Sequence, residues 1–289
     1  MNILILGGTG SIGTAVTREL VRHGHSVTGL SRSESSDAAL TALGARPLRG
    51  DLRHPGTWVR AIARCDGLIQ IAATFAPDMG EADSLTVNAI LRQAGLRPDP
   101  LRMIYTGGGW LYGATGPRVA DETSLMRPIS PFVWMKDNAA RILACPSVSA
   151  AVIHPAMVYH QEGGVFSRYL EAARRAAPIE IWGSIATRWP LVQRDDLARA
   201  YRLLLETPAL TGHFNASAEH GVPVGDITAE IARRHRHDAG YVVRSLKHVL
   251  NKYGDWAEGP TLDQQMASHR LRSLTGWHPR HRDFRKAQF

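Results

Sequence analysis

Short runs of consecutive apolar residues alternate with stretches of helical spacing through the first half of the chain. Asn2–Leu6 is a continuously apolar run that predicts a strand, and Ile12–His23 has the spacing of a helix. Ser26–Leu30 predicts a second strand, Asp37–Leu43 a short helix and Arg46–Arg49 a third strand. The alternation continues with a helix at Thr57–Arg64, a strand at Gly67–Ala72, a helix at Asp83–Gln93 and a strand at Arg102–Thr106. Val133–Leu143 then reads as a helix and Ala150–His154 as a strand. Strands separated by helices need crossover connections, and these build a parallel sheet with helices on both faces. The expected fold class is therefore α/β, a doubly wound parallel sheet.

After Pro155 the rhythm breaks. The stretch 162–189 is rich in Arg, Gly and Trp, Asp195–Leu205 and Ile227–Arg236 have helical spacing, and Lys247–Phe289 reads as irregular and polar. These shifts predict a first, doubly wound unit at 1–158, to which 191–206 returns, and a smaller C-terminal lobe, the candidate substrate lobe, made of 159–190 and 207–289. The 289 residues contain only two cysteines, Cys65 and Cys145, which suits a reducing compartment rather than a disulfide scaffold. No stretch approaches the ~20 apolar residues of a membrane helix, and MNILILGG lacks the basic lead of a signal peptide. A cytoplasmic protein with no membrane partner is expected.

The net charge of +8 invites a nucleic-acid reading. Much of the excess lies at the end: His269–Phe289 carries six Lys and Arg against Asp283 alone. That distribution predicts a solvated tail, and no interleaved aromatic and basic stripe accompanies it. The expected partner is a small-molecule substrate rather than nucleic acid. A homodimer is left open.

The strongest local signal is Gly7-Gly8-Thr9-Gly10-Ser11-Ile12-Gly13, between the first strand and the first helix. Such a turn lets the backbone approach a pyrophosphate, and the helix N-terminus offers free N–H groups to it. This makes the first unit a Rossmann, NAD(P)-binding domain. The end of the second strand, Ser31-Arg32-Ser33, has no acid until Glu34. A ribose 2′-hydroxyl calls for an acid there, whereas a 2′-phosphate calls for an arginine. Arg32, with Ser31 beside it, points to NADP(H), with NAD(H) as the alternative.

These residues resemble the extended or atypical branch of the short-chain dehydrogenase/reductase superfamily, the NAD-dependent epimerase/dehydratase family. The resemblance runs through Gly50-Asp51-Leu52, Ala72-Ala73, Tyr105–Gly113, His154-Pro155-Ala156-Met157-Val158-Tyr159, Leu191–Ala200 and Leu274–Pro279. It implies cofactor contacts from Gly7, Thr9, Gly10, Ser11, Ile12, Gly13, Ser31, Arg32, Asp51, Leu52, Ala72, Ala73, Thr106, Lys136, His154 and Pro155. It also implies a Tyr-x-x-x-Lys pair and a Ser or Thr after the fifth strand. Here Lys136 takes the lysine position, Phe132 stands where the tyrosine belongs and Gly108 where the serine belongs. Tyr112, Lys136 and Tyr159 are then the catalytic candidates.

The remaining chemistry is sparse. His235-x-His237 and His278-x-x-His281 lack the companions of a zinc site, so no metal is expected. Asp195 and Asp196 point to different faces of their helix, one as its cap. Trp182 and Trp189 are candidates for a pocket wall or for core. The function expected is an NADP(H)-binding epimerase/dehydratase-like enzyme or reductase, acting on a small molecule with non-standard acid/base residues. The alternative is a catalytically inactive NADP-sensing regulatory or scaffold protein.

Overall fold

The structure is a computed structural model and describes residues 1–73 and 76–289. The first half runs β1 (Asn2–Leu6), α1 (Ser11–Arg22), β2 (Ser26–Ser31), α2 (Glu34–Ala42), β3 (Arg46–Arg49), β4 (Gly67–Gln70), α3 (Met79–Ala94), β5 (Leu101–Thr106), α4 (Val133–Leu143) and β6 (Val148–Pro155). It continues with β7 (Met157–His160), β8 (Gly163–Gly164), α5 (Ser167–Arg174), β9 (Ile179–Trp182), β10 (Arg188–Gln193), α6 (Arg194–Leu205) and β11 (Gly212–Ala216). The chain ends with β12 (Glu219–Pro223), α7 (Val224–His235), β13 (Tyr241–Arg244), α8 (Leu246–Tyr253) and α9 (His269–Thr275).

The main sheet is parallel throughout, in the order β11-β6-β5-β4-β1-β2-β3. Its centre is buried on both faces, which is why β1 is apolar at consecutive positions rather than at alternate ones. Ile3 and Ile5 join the core under α1 and α6, while Leu4 and Leu6 join the core under α3 and α4. Each such side chain contributes roughly 1.5–3 kcal/mol by leaving water. The reversal of strand order between β1 and β4 opens a crevice at the carboxyl ends of the strands.

The second lobe holds a four-stranded sheet, β12-β10-β7-β8, and a two-stranded one, β13-β9. Its own core packs Tyr159, Phe166, Tyr169, Trp189, Ile227 and Phe284 together. Trp182 is also core, against Val249 and Ala257.

Several expectations are corrected. Gly212–Ala216, expected in the second lobe, pairs with β6 as the outermost strand of the main sheet. The segment around Thr57–Arg64 forms two 3-10 turns, Pro55–Thr57 and Val59–Arg64, instead of an α-helix. The C-terminal region is neither irregular nor a solvated tail. It contains α8 and α9, and Trp277 and Phe284 are fully buried. Neither aspartate caps α6: the Gln193 side chain accepts from the N–H groups of Asp195 and Asp196.

Asp196 anchors the C-terminal segment instead. Its buried carboxylate accepts from the backbone N–H groups of Arg280 and His281 (both 2.8 Å), from His281 Nδ1 (2.9 Å) and from Arg199 (3.2 Å). Trp277 Nε1 donates to the Asp196 carbonyl at 2.9 Å. Asp196→Ala leaves buried donors without an acceptor and should cost about 3 kcal/mol in urea unfolding. It should also speed amide exchange in 277–289; unchanged exchange there would show that the apolar contacts alone hold the segment.

Candidate functional site

The glycine loop is built by two close approaches. Gly7 has φ +92°, and a Cβ on it would lie 2.7 Å from the Ala72 backbone. A Cβ on Gly13 would lie 1.9 Å from the Gly7 carbonyl oxygen. Glycine at both places lets β1, the end of β4 and the first turn of α1 meet closely. Gly10 is the N-cap of α1 and supplies no side-chain cap, so the first-turn N–H groups face the crevice with the positive end of the helix dipole. This cradle fits a dinucleotide diphosphate.

A cavity of about 570 Å³ starts at this loop and runs along the carboxyl edge of the sheet to the second lobe. Of the residues expected to touch cofactor, Gly7, Thr9, Gly10, Ser11, Ile12, Gly13, Ser31, Arg32, Asp51, Leu52, Ala72, Ala73, Thr106 and Pro155 line it. At the β2 end, Arg32 is exposed and makes no ion pair among the described residues. Ser33 caps α2 by accepting from the Ser36 N–H, and Arg32 and Ser36 both line the cavity. The nearby Asp37 is taken up by Arg49 and by the Ser31 hydroxyl. Beyond β3, Arg53 also lines the cavity and holds Asp78 with two hydrogen bonds, 2.6 and 2.9 Å. This pair keeps the Asp78 carboxyl below its ordinary range.

Ser11 continues into a relay that sequence reasoning missed. Its Oγ lies 2.9 Å from His160 Nε2, His160 Nδ1 lies 2.6 Å from Glu162, and Arg194 pairs with Glu162 at 3.0 Å. Burial pushes the His160 pKa down, against the pull of Glu162. A neutral ring that donates from Nδ1 to Glu162 accepts the Ser11 hydroxyl on Nε2.

The family's sequence pattern, described as NAD dependent epimerase/dehydratase, matches residues 3–217. The chain belongs to this family. An uncharacterized protein of Schizosaccharomyces pombe is 26% identical over 97% of this chain and 96% of its own length. Among solved structures, a UDP-glucose 4-epimerase of Thermotoga maritima with UDP-glucose superimposes with a TM-score of 0.82 at 20% identity. That match covers 97% of this chain and 94% of the epimerase. A human epimerase family protein with NADPH has a TM-score of 0.78 at 20% identity, over 100% and 98% of the two chains.

The epimerase/dehydratase fold makes the departures concrete. Gly108 lines the cavity, and a Cβ there would meet nothing within 4 Å. Phe132 lines it too, with Trp134 and Met135. Lys136, expected to hold the ribose, is exposed on α4 and lies outside the cavity wall. The physical reason is local: adjacent helix residues point to different faces, and with Met135 lining the cavity the neighbouring Lys136 faces solvent.

Tyr112 and Tyr159 also lie outside the wall. The Tyr112 hydroxyl donates to Asn215 Oδ1 on β11 at 2.8 Å, and burial raises its pKa well above the ordinary value. Tyr159 is fully buried and stacks on Phe166 at 5.2 Å. His154, expected at the cofactor, sits behind the loop, with Nδ1 accepting from the Gly108 N–H at 3.3 Å and Nε2 2.9 Å from His213. The indoles in the wall are Trp110 and Trp134, while Trp182 and Trp189 are core. Among the described residues no cluster could hold a metal ion, and no helix is long and apolar enough to cross a membrane.

Burial, with His213 alongside, pushes the His154 pKa down to about 3. The unfolded chain, with an ordinary histidine, binds the proton first as pH falls. The neutral ring's contribution is therefore complete above about pH 6.5 and is lost on acidification toward pH 3. From pH 7 to pH 5 the wild-type protein should lose about 2 kcal/mol more than His154→Gln in urea unfolding. An equal acid loss in both proteins would remove His154 from this account.

Proposed function

We propose that the chain binds NADP(H) and uses it to oxidise or reduce a small molecule held between the main sheet and the second lobe. The observation that carries this reading is the single cavity that joins the glycine cradle and Arg32 at one end to Met157, Val158, Val165 and Pro190 of the second lobe at the other. Arg32 beside the α2 N-terminus supports the choice of NADP(H) over NAD(H), because a 2′-phosphate finds a charge and a dipole there. The NADPH named for the human relative agrees with this choice.

Bound NADPH supplies the hydride; the balancing proton must come from the wall or from water. On the wall beyond β4 the titratable groups among the described residues are Asp83 and Tyr105. Tyr105 donates to Asp83 at 2.6 Å, and burial raises both groups above their ordinary values. Thr106 lines the cavity, but its hydroxyl donates to the Gln70 carbonyl at 2.7 Å. A chemistry without the usual tyrosine, lysine and serine follows from this wall.

The same wall favours the second reading, a cofactor-binding protein without turnover, because its hydroxyl protons already have protein acceptors. Loss of the near-ultraviolet absorbance of NADPH with neutral carbonyl compounds discriminates the two. Turnover supports the enzyme; tight NADPH binding without turnover across the panel supports the sensor. For the cofactor, Arg32→Ala should weaken NADP(H) by roughly 1.5–3 kcal/mol in calorimetric titration and leave NAD(H) nearly unchanged. Equal losses would make Arg32 structural.

A further inference from the structure

The cavity changes chemistry along its length. The cationic side chains that line it, Arg32 and Arg53, both lie at the β2 and β3 end. The half beyond β4 has no cation among the described residues. The formal charge this wall does carry is of the opposite sign. Asp83 accepts from Tyr105, from Gln70 Nε2 at 2.8 Å and from Asn138 Nδ2 at 2.8 Å.

Around that acid the surface is apolar: Met79, Trp110, Phe132, Trp134, Met135 and Met157. The Trp110 and Phe132 rings tilt together with centroids 5.4 Å apart. Of the polar side-chain atoms on the wall, Gln70 Oε1 is buried without a partner among the described residues, while others are engaged. Gln264 Nε2 donates to the carbonyls of Gly109 (2.9 Å) and Gly113 (2.7 Å), and Trp134 Nε1 donates to Pro131 (2.7 Å). A diphosphate here would lose its water and find no counter-charge, while a neutral ring would gain by covering apolar surface.

We propose that this half of the cavity takes an uncharged, mainly apolar ring compound bearing a carbonyl group, and rejects nucleotide sugars. The proposal rests on the NADP(H) reading above and names the substrate class of the same site. It separates this chain from the Thermotoga protein, whose structure contains UDP-glucose. The shared fold does not carry over a shared ligand.

Trp110 and Trp134 provide the readout. Wild-type protein is titrated with acetylnaphthalene, a neutral aryl ketone, and separately with UDP-glucose, each with and without NADPH, following indole fluorescence. The ketone should quench saturably in both conditions, and UDP-glucose should not. Met157→Lys places an ammonium in the wall and, titrated without NADPH, should raise the ketone Kd about tenfold or more. Val165→Lys serves as the second variant if the first melts below the wild-type protein. UDP-glucose binding as tightly as the ketone, a ketone that fails to saturate, or lysine variants that bind it like the wild type would overturn the proposal. Ketone binding that persists while NADPH fails to bind would support the substrate class and remove the cofactor reading instead.

Discussion

The close approach of Gly7 to Ala72, and of Gly13 to the Gly7 carbonyl, is the constraint on which the site depends. Neither approach tolerates a Cβ, so the N-terminus of α1 reaches the carboxyl edge of the sheet only because both residues are glycine. The uncapped first turn then presents its N–H groups to the crevice, and helix dipole and backbone donors act at one point. Ser11 ties that turn to His160 and Glu162, and so to the second lobe. The phosphate cradle is thus braced from both sides, by β4 and by β7.

Charge divides the cavity that begins there. Arg32, Arg53 and the α2 N-terminus make one end suited to phosphates; beyond β4, aromatic and thioether side chains surround a single engaged carboxyl group. Phe132 and Gly108 line this wall without a hydroxyl, and its titratable groups among the described residues are Asp83 and Tyr105.

What was legible in the sequence was local. The glycine loop, Arg32 and the alternation of strands and helices each lie within a few adjacent residues; the loop and Arg32 line the cavity, and the alternation holds except at Thr57–Arg64. Lys136 was placed by resemblance alone; which face of α4 meets the cavity is set by packing, and Met135 rather than Lys136 lines it. Tyr112 is held from the cavity by Asn215, on a strand whose membership in the main sheet rests on pairing with β6. The short apolar content of Gly212–Ala216 gave little sign of this. The Ser11–His160–Glu162 relay and the Asp196 anchor join residues 149 and 84 or more positions apart, and no periodicity records such contacts.

The most direct measurement is an electron-density map from crystals grown with saturating NADPH. The account predicts the diphosphate against the first-turn N–H groups of α1 between Gly7 and Gly13, the 2′-phosphate against Arg32, and the nicotinamide on the side of Pro155 and Met157. A diphosphate bound elsewhere, or a cavity that stays empty of cofactor under these conditions, would contradict it.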